Sequence, residues 1–124
     1  MALVDLFQFP HFIVMLVGFI HLSIAMLLVA FHKPKKWYSL HLIFAATGVE
    51  LIVIGLLILS GLILGIPHGI IGLIAAIILI GELIVGYIAI KTKERKIRIT
   101  HIWVSRVIYI VTLVALILGV LNFI

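Results

Sequence analysis

Four of the six histidines in this 124-residue chain stand where long apolar runs begin. His11 and His68 open the first and third runs, and His41 and His101 open the second and fourth. Inside the runs lie four further charged or imidazole side chains, His21, Glu50, Glu82 and Arg106. Cysteine is absent, which excludes disulfide scaffolds, thiolate catalysis, cysteine-ligated zinc and iron–sulfur clusters. If successive runs cross a membrane in alternate directions, each face receives two histidines, on helices that can sit diagonally in a bundle. Two imidazoles opposed across a bundle are what a six-coordinate haem iron requires. Zinc or copper would want further cysteine or carboxylate donors in register. Any one of these histidines alone reads equally as an interfacial side chain; the set, paired on each face, reads as ligands.

The elements that must position them follow from composition. The chain is 66% hydrophobic and 10% charged, with a mean hydropathy of +1.50, whereas soluble domains are near half apolar and a quarter charged. Its apolar runs cover residues 12–31, 42–64, 69–90 and 102–124, each 20 to 23 residues long. As helices these measure about 30–35 Å, the thickness of a bilayer core. We therefore expect an all-α integral membrane four-helix bundle, one domain over residues 1–124, with spans near 11–32, 40–64, 68–90 and 100–123. Ten-residue alternating segments, which a β-barrel needs, are missing. The first run has neither the basic flank nor the small-residue cleavage site of a signal peptide. Pro10 before the first span, and Gly65, Pro67 and Gly69 around the middle turn, are breakers in the places this plan needs them.

Eight of the nine basic residues fall in two loops: Lys33, Lys35 and Lys36 in 33–36, and Lys91, Lys93, Arg95, Lys96 and Arg98 in 91–98. The positive-inside rule makes both loops cytoplasmic and puts both termini on the other side. That topology explains the net charge of +5 without a nucleic-acid partner, and lets both loops attract anionic lipid head groups. Trp37, Tyr38 and Trp103 occupy the positions of an interfacial aromatic belt. His11 and His41 are 30 residues apart and His68 and His101 are 33 apart, each pair enclosing a span and a basic loop. This is the pattern of two helical hairpins of equal polarity, parallel repeats about an axis along the membrane normal.

On these residues the chain resembles the cytochrome b561 superfamily. His11 through Phe19, with Met15, Gly18 and Phe19, looks like the first core helix of that family. Lys35 and Lys36 followed by His41 are similar to the basic turn and histidine that open its second. His68 with Gly72 resembles the opening of its third, and Gly81 through Tyr87 a segment further along it, with Glu82 where glutamine is usual. His101 and Arg106 are similar to the histidine and arginine of its fourth, with Ser105 in place of a glycine. The animal and plant members have six spans, and this chain has the four-helix core. The resemblance implies two haems b, one between His11 and His68 and the other between His41 and His101. It also implies electron transfer across the membrane, from ascorbate or a quinol to ferric iron, monodehydroascorbate or a partner protein.

The remaining polar residues have two readings each. Arg106 would pair with a haem propionate, or would snorkel to the interface on its long stem. Lys33, Lys35 and Lys36 would meet an anionic donor or a propionate, or serve topology alone. His32 is an interfacial side chain and the substitute ligand should His41 fail. His21, about 15 Å along the helix from His11, is expected to face the bundle interior. With Glu50 and Glu82 it would form an intramembrane proton relay, or each would simply make an interhelical hydrogen bond. Partners expected are the bilayer and a small-molecule donor and acceptor or a redox subunit, with a homodimer left open. Two other functions remain: an accessory subunit of a larger membrane complex, and a small transporter or channel built on Glu50, Glu82 and His21.

Overall fold

In the computed structural model, residues 3–58 and 65–122 are described, and they are helical almost throughout. A 3-10 helix, Leu3–Gln8, leads into α1 (Pro10–Phe31), followed by α2 (Trp37–Ile58), α3 (Pro67–Thr92) and α4 (Arg95–Leu121). All four α-helices are long and apolar enough to cross a membrane. The expected end of the second span, residues 59–64, and with it most of the middle turn, lie outside the described residues.

The starts and stops have local causes. Pro10 and Pro67 each occupy the first turn, after an extended residue, where a missing N–H costs nothing and φ is already helical. α1 and α3 both end on a left-handed residue, His32 at φ 52° and Lys93 at φ 56°. Their backbone N–H groups return to Leu28 O at 2.9 Å and Ala89 O at 3.1 Å, closing the last turn as a C-terminal cap does. Helices α2 and α4 start earlier than the apolar runs, at Trp37 and Arg95. The basic residues at the start of α4 continue its helix beyond the hydrocarbon zone, so the apolar run underestimates the helix.

Packing is closest within each hairpin, α1 on α2 and α3 on α4; lighter contacts of α2 with α3 and α1 with α4 close the ring. Hence α1 lies diagonally across from α3, and α2 from α4. The core is formed by Leu22, Val49, Ile52, Leu56, Ala75, Ala76, Leu79 and Ile108. The register that lays His11 on His68 and His41 on His101 also lays Gly18 on Ala75, Leu22 on Leu79, Ile52 on Thr112 and Gly55 on Ala115, and all eight of these are buried. The repeat seen in the sequence is thus a repeat of the packed face.

Small residues set the closeness of α1 and α2. A Cβ on Gly48 would stand 2.9 Å from Leu22 Cδ2 and 3.1 Å from Gly18 O. Without a hydrophobic drive between helices in lipid, such backbone approach is what holds a pair together. Ile54, Leu57, Ile77, Ile84 and Ile110 point outward and are exposed, as lipid-facing side chains must be.

Candidate functional site

Each of the four helix-opening histidines turns its Nδ1 toward the other helix of its own hairpin. His11 donates from Nδ1 to Gly55 O at 2.7 Å, His41 to Ala25 O at 3.1 Å, and His68 to Ala115 O at 2.6 Å. A carbonyl only accepts, so in these three the proton sits on Nδ1 and Nε2 is the bare nitrogen. His101 directs Nδ1 to Glu82 Oε2 at 2.8 Å. Metal-binding histidines are oriented in this way, with the second ring nitrogen tied to a carbonyl or carboxylate. No Nε2 of the four carries a hydrogen bond among the described residues.

The pairing is diagonal. His11 on α1 and His68 on α3 meet with ring centroids 6.3 Å apart, at 77°. Two metal–nitrogen bonds of about 2 Å each, added to the ring radii, span roughly the same distance. At the opposite end of the bundle, His41 on α2 and His101 on α4 occupy the other diagonal, each tied to the second helix of its own hairpin. Glycines stand against two of the rings. A Cβ on Gly119 would lie 2.7 Å from His68 Cε1, and one on Gly86 would lie 3.0 Å from His101 Cε1.

Among the described residues no three His, Asp or Glu side chains converge to hold a metal ion. Two imidazoles on facing helices are a donor pair of the kind taken by an iron whose other positions a porphyrin fills. The space between His11 and His68, bounded by Phe12, Met15, Leu116 and Gly119, is a cavity of about 30 Å³. That is room for a water and not for a macrocycle. The lightly packed seam between the two hairpins is where the bundle would have to part to admit one.

The intramembrane polar residues are not brought together. Glu82 is buried, and its Oε2 receives Ser105 Oγ at 2.7 Å as well as His101. His21 bonds to Val17 O of its own helix at 2.8 Å, and its ring lies on Phe44, centroids 5.3 Å apart. Glu50 is on the exposed face of α2, turned away from the buried stripe of Gly48, Val49, Ile52 and Gly55. No hydrogen bond or ion pair joins any two of the three. Arg106 is exposed on α4, its guanidinium 5.1 Å from the Trp103 ring centroid. Lys33, Lys35 and Lys36 are exposed in the first basic turn, and His32 sits edge-on to Trp37, centroids 4.6 Å apart.

Sequence reasoning missed one link between the hairpins. Ser23 on α1 donates to Phe19 O at 2.8 Å, and its hydroxyl also meets Tyr109 OH on α4 at 2.9 Å. With the serine proton committed, Tyr109 is the donor. Phe19 stacks on the Tyr109 ring, centroids 5.1 Å apart and 17° from parallel. Along α1 and α4 this contact falls between the two histidine ends. Tyr109 stands half-buried beside buried Ile108 on α4, but nothing local in the sequence names Ser23 as its partner.

Comparison with models of known families, with curated proteins and with solved structures gives no match.

Proposed function

We propose that the chain is a di-haem b cytochrome of the cytochrome b561 kind that carries electrons across the membrane. The observation that supports this best is the meeting of His11 and His68 across the bundle, with every Nδ1 of the four histidines tied to the neighbouring helix of its hairpin and every Nε2 left for a ligand. His11 and His68 would hold one haem and His41 and His101 the other, and bound there the haems supply one-electron chemistry. The helices fix the ligand rings, exclude water from the middle of the path, and bridge it with the Phe19–Tyr109 stack. Arg106, exposed and able to swing from Trp103, is the cation for a propionate.

By the positive-inside rule the loops 33–36 and 91–98 are cytoplasmic and both termini face outward. The His41–His101 end is then the inner one, and Lys33, Lys35 and Lys36 would draw an anionic donor to it. An ascorbate-like or quinol donor and a ferric, monodehydroascorbate or protein acceptor fit this scheme, which would make the chain a transmembrane oxidoreductase. The test is the visible spectrum of the full-length protein purified from cells supplied with haem. A Soret band with sharp reduced α-bands, at two haems per chain, is expected, and a colourless preparation rules the proposal out.

A role as subunit of a larger membrane complex has one observation in its favour. Glu50 presents an acidic group to the lipid-facing surface with no hydrogen bond or ion pair among the described residues, and a neighbouring membrane helix would satisfy it.

A further inference from the structure

Glu50 stands on the outer face of α2 with no hydrogen bond or ion pair among the described residues. It lies about 14 Å along the helix from His41, near the middle of a hydrocarbon core of about 30 Å, where a polar group costs most. The matching place in the second hairpin is unlike it. The register that lays His41 on His101 lays Ala46, Thr47 and Glu50 on Arg106, Val107 and Ile110. Val107 and Ile110 are apolar and exposed, as lipid-facing positions should be. Ala46 is exposed and Thr47 half-buried, and Thr47 Oγ1 donates back to Ile43 O at 2.8 Å, which occupies its proton. The middle of the outer face is therefore small and carboxylic on α2 where it is bulky on α4. Small side chains let another backbone approach, and a polar one then bonds across.

Symmetry and depth select the occupant. Because α2 and α4 are diagonal, their outer faces look in opposite directions. Pairing Glu50 with Arg106 of another copy would join copies head to tail in an open row. Arg106 also lies one helical turn, about 6 Å, nearer the His41–His101 end. Glu50 against Glu50 closes instead. A carboxyl in its acid form both donates and accepts, so it complements its own copy. A two-fold axis along the membrane normal keeps both copies in one orientation and both carboxyls at one depth. We propose that the outer face of α2 is an isologous contact with a second copy of this chain. Ala46 and Thr47 stand at the close approach, and the two Glu50 carboxyls bond to each other. The contact lies on the face of α2 opposite the bundle core and does not rest on the haem reading.

The chain has no cysteine, so one introduced thiol reports on one position. A disulfide closes only where Cα atoms come within about 7 Å. In oxidised membranes Ala46→Cys is expected to give a disulfide-linked dimer of the full chain, and Ile110→Cys, at the matching place on α4, to stay monomeric. No dimer from Ala46→Cys, or equal linking at both positions, overturns the proposal. Linking of Ala46→Cys to a different protein also overturns it and gives the face to another subunit.

Energy transfer between end-labelled full chains in liposomes, read as lipid is added, measures dissociation. Glu50→Leu is expected to weaken the dimer on the order of tenfold, the worth of interhelical hydrogen bonding in lipid. Glu50→Gln, whose amide also donates and accepts, should keep it. A Glu50→Leu dimer as tight as the unmutated one, or a Glu50→Gln dimer as weak as Glu50→Leu, overturns the carboxyl contact. The cross-linking leaves Glu50 in place, so it decides the matter even where a Glu50 variant fails to fold.

Discussion

His11 and His68 lie on helices that barely touch, yet their rings meet edge to face with centroids 6.3 Å apart. Neither depends on the other for its orientation, since each is tied to a carbonyl of its own hairpin, at Gly55 and Ala115. The pair forms where the two hairpins meet, each ring held by its own hairpin. His11→Ala or His68→Ala should therefore remove the same haem, with the double variant costing little more, as expected of two residues acting on one ligand. His41→Ala or His101→Ala should remove the other. Haem per chain across the four single and two double variants checks this. Different haems lost from His11→Ala and His68→Ala would end the pairing scheme.

Much of this arrangement can be read in the sequence, and the reason is physical. Span length, the proline starts and the matched histidines depend on local chain and bilayer dimensions, and the diagonal of α1 and α3 follows from two hairpins of equal polarity. The facing of Glu50 and Glu82 was much harder to read. Both are single acids in apolar runs, and only the packed register shows Glu82 on the buried stripe with Gly72, Ala75, Ala76 and Leu79 and Glu50 on the outside. With lipid as apolar as the core, hydrophobicity does not separate inner from outer faces. Small residues do so better: Gly18, Gly48, Gly55, Ala75, Ala76 and Ala115 are all buried.

Two glycines in the second hairpin should respond oppositely to the same change. A Cβ on Gly119 would meet His68 at 2.7 Å, whereas one on Gly81 would meet nothing within 4 Å. Gly119→Ala should push the His68 ring aside and lower occupancy of the His11–His68 haem. Gly81→Ala should keep both haems and add up to about 1 kcal/mol of helix stability. Haem content and thermal unfolding in detergent measure both. Full haem retention in Gly119→Ala would mean that the ring does not rest on that glycine when ligated.

Sidedness is testable without the cofactor. The concentration of basic residues in 33–36 and 91–98 predicts that both termini are non-cytoplasmic. A reporter that works only in the cytoplasm should be silent on the C-terminus and active when placed in the 91–98 loop. The reverse pattern would exchange the two haem faces and put the His11–His68 end inside.

Glu50 should behave unlike Glu82, because it is exposed on the outer face of α2 and has no hydrogen bond or ion pair among the described residues. An acidic side chain at the middle of a span costs about 2.5–3.5 kcal/mol on insertion scales. Nothing inside the bundle offsets that cost at Glu50, whereas at Glu82 the hydrogen bonds of Ser105 and His101 do. Glu50→Leu should then raise the inserted fraction of the isolated α2 segment, measured by glycosylation mapping. In the full chain it should leave haem content and both reduction potentials unchanged. If Glu50→Leu instead cost a haem or shifted a potential, the acid would belong to the interior, and the outward face assigned to α2 would be wrong.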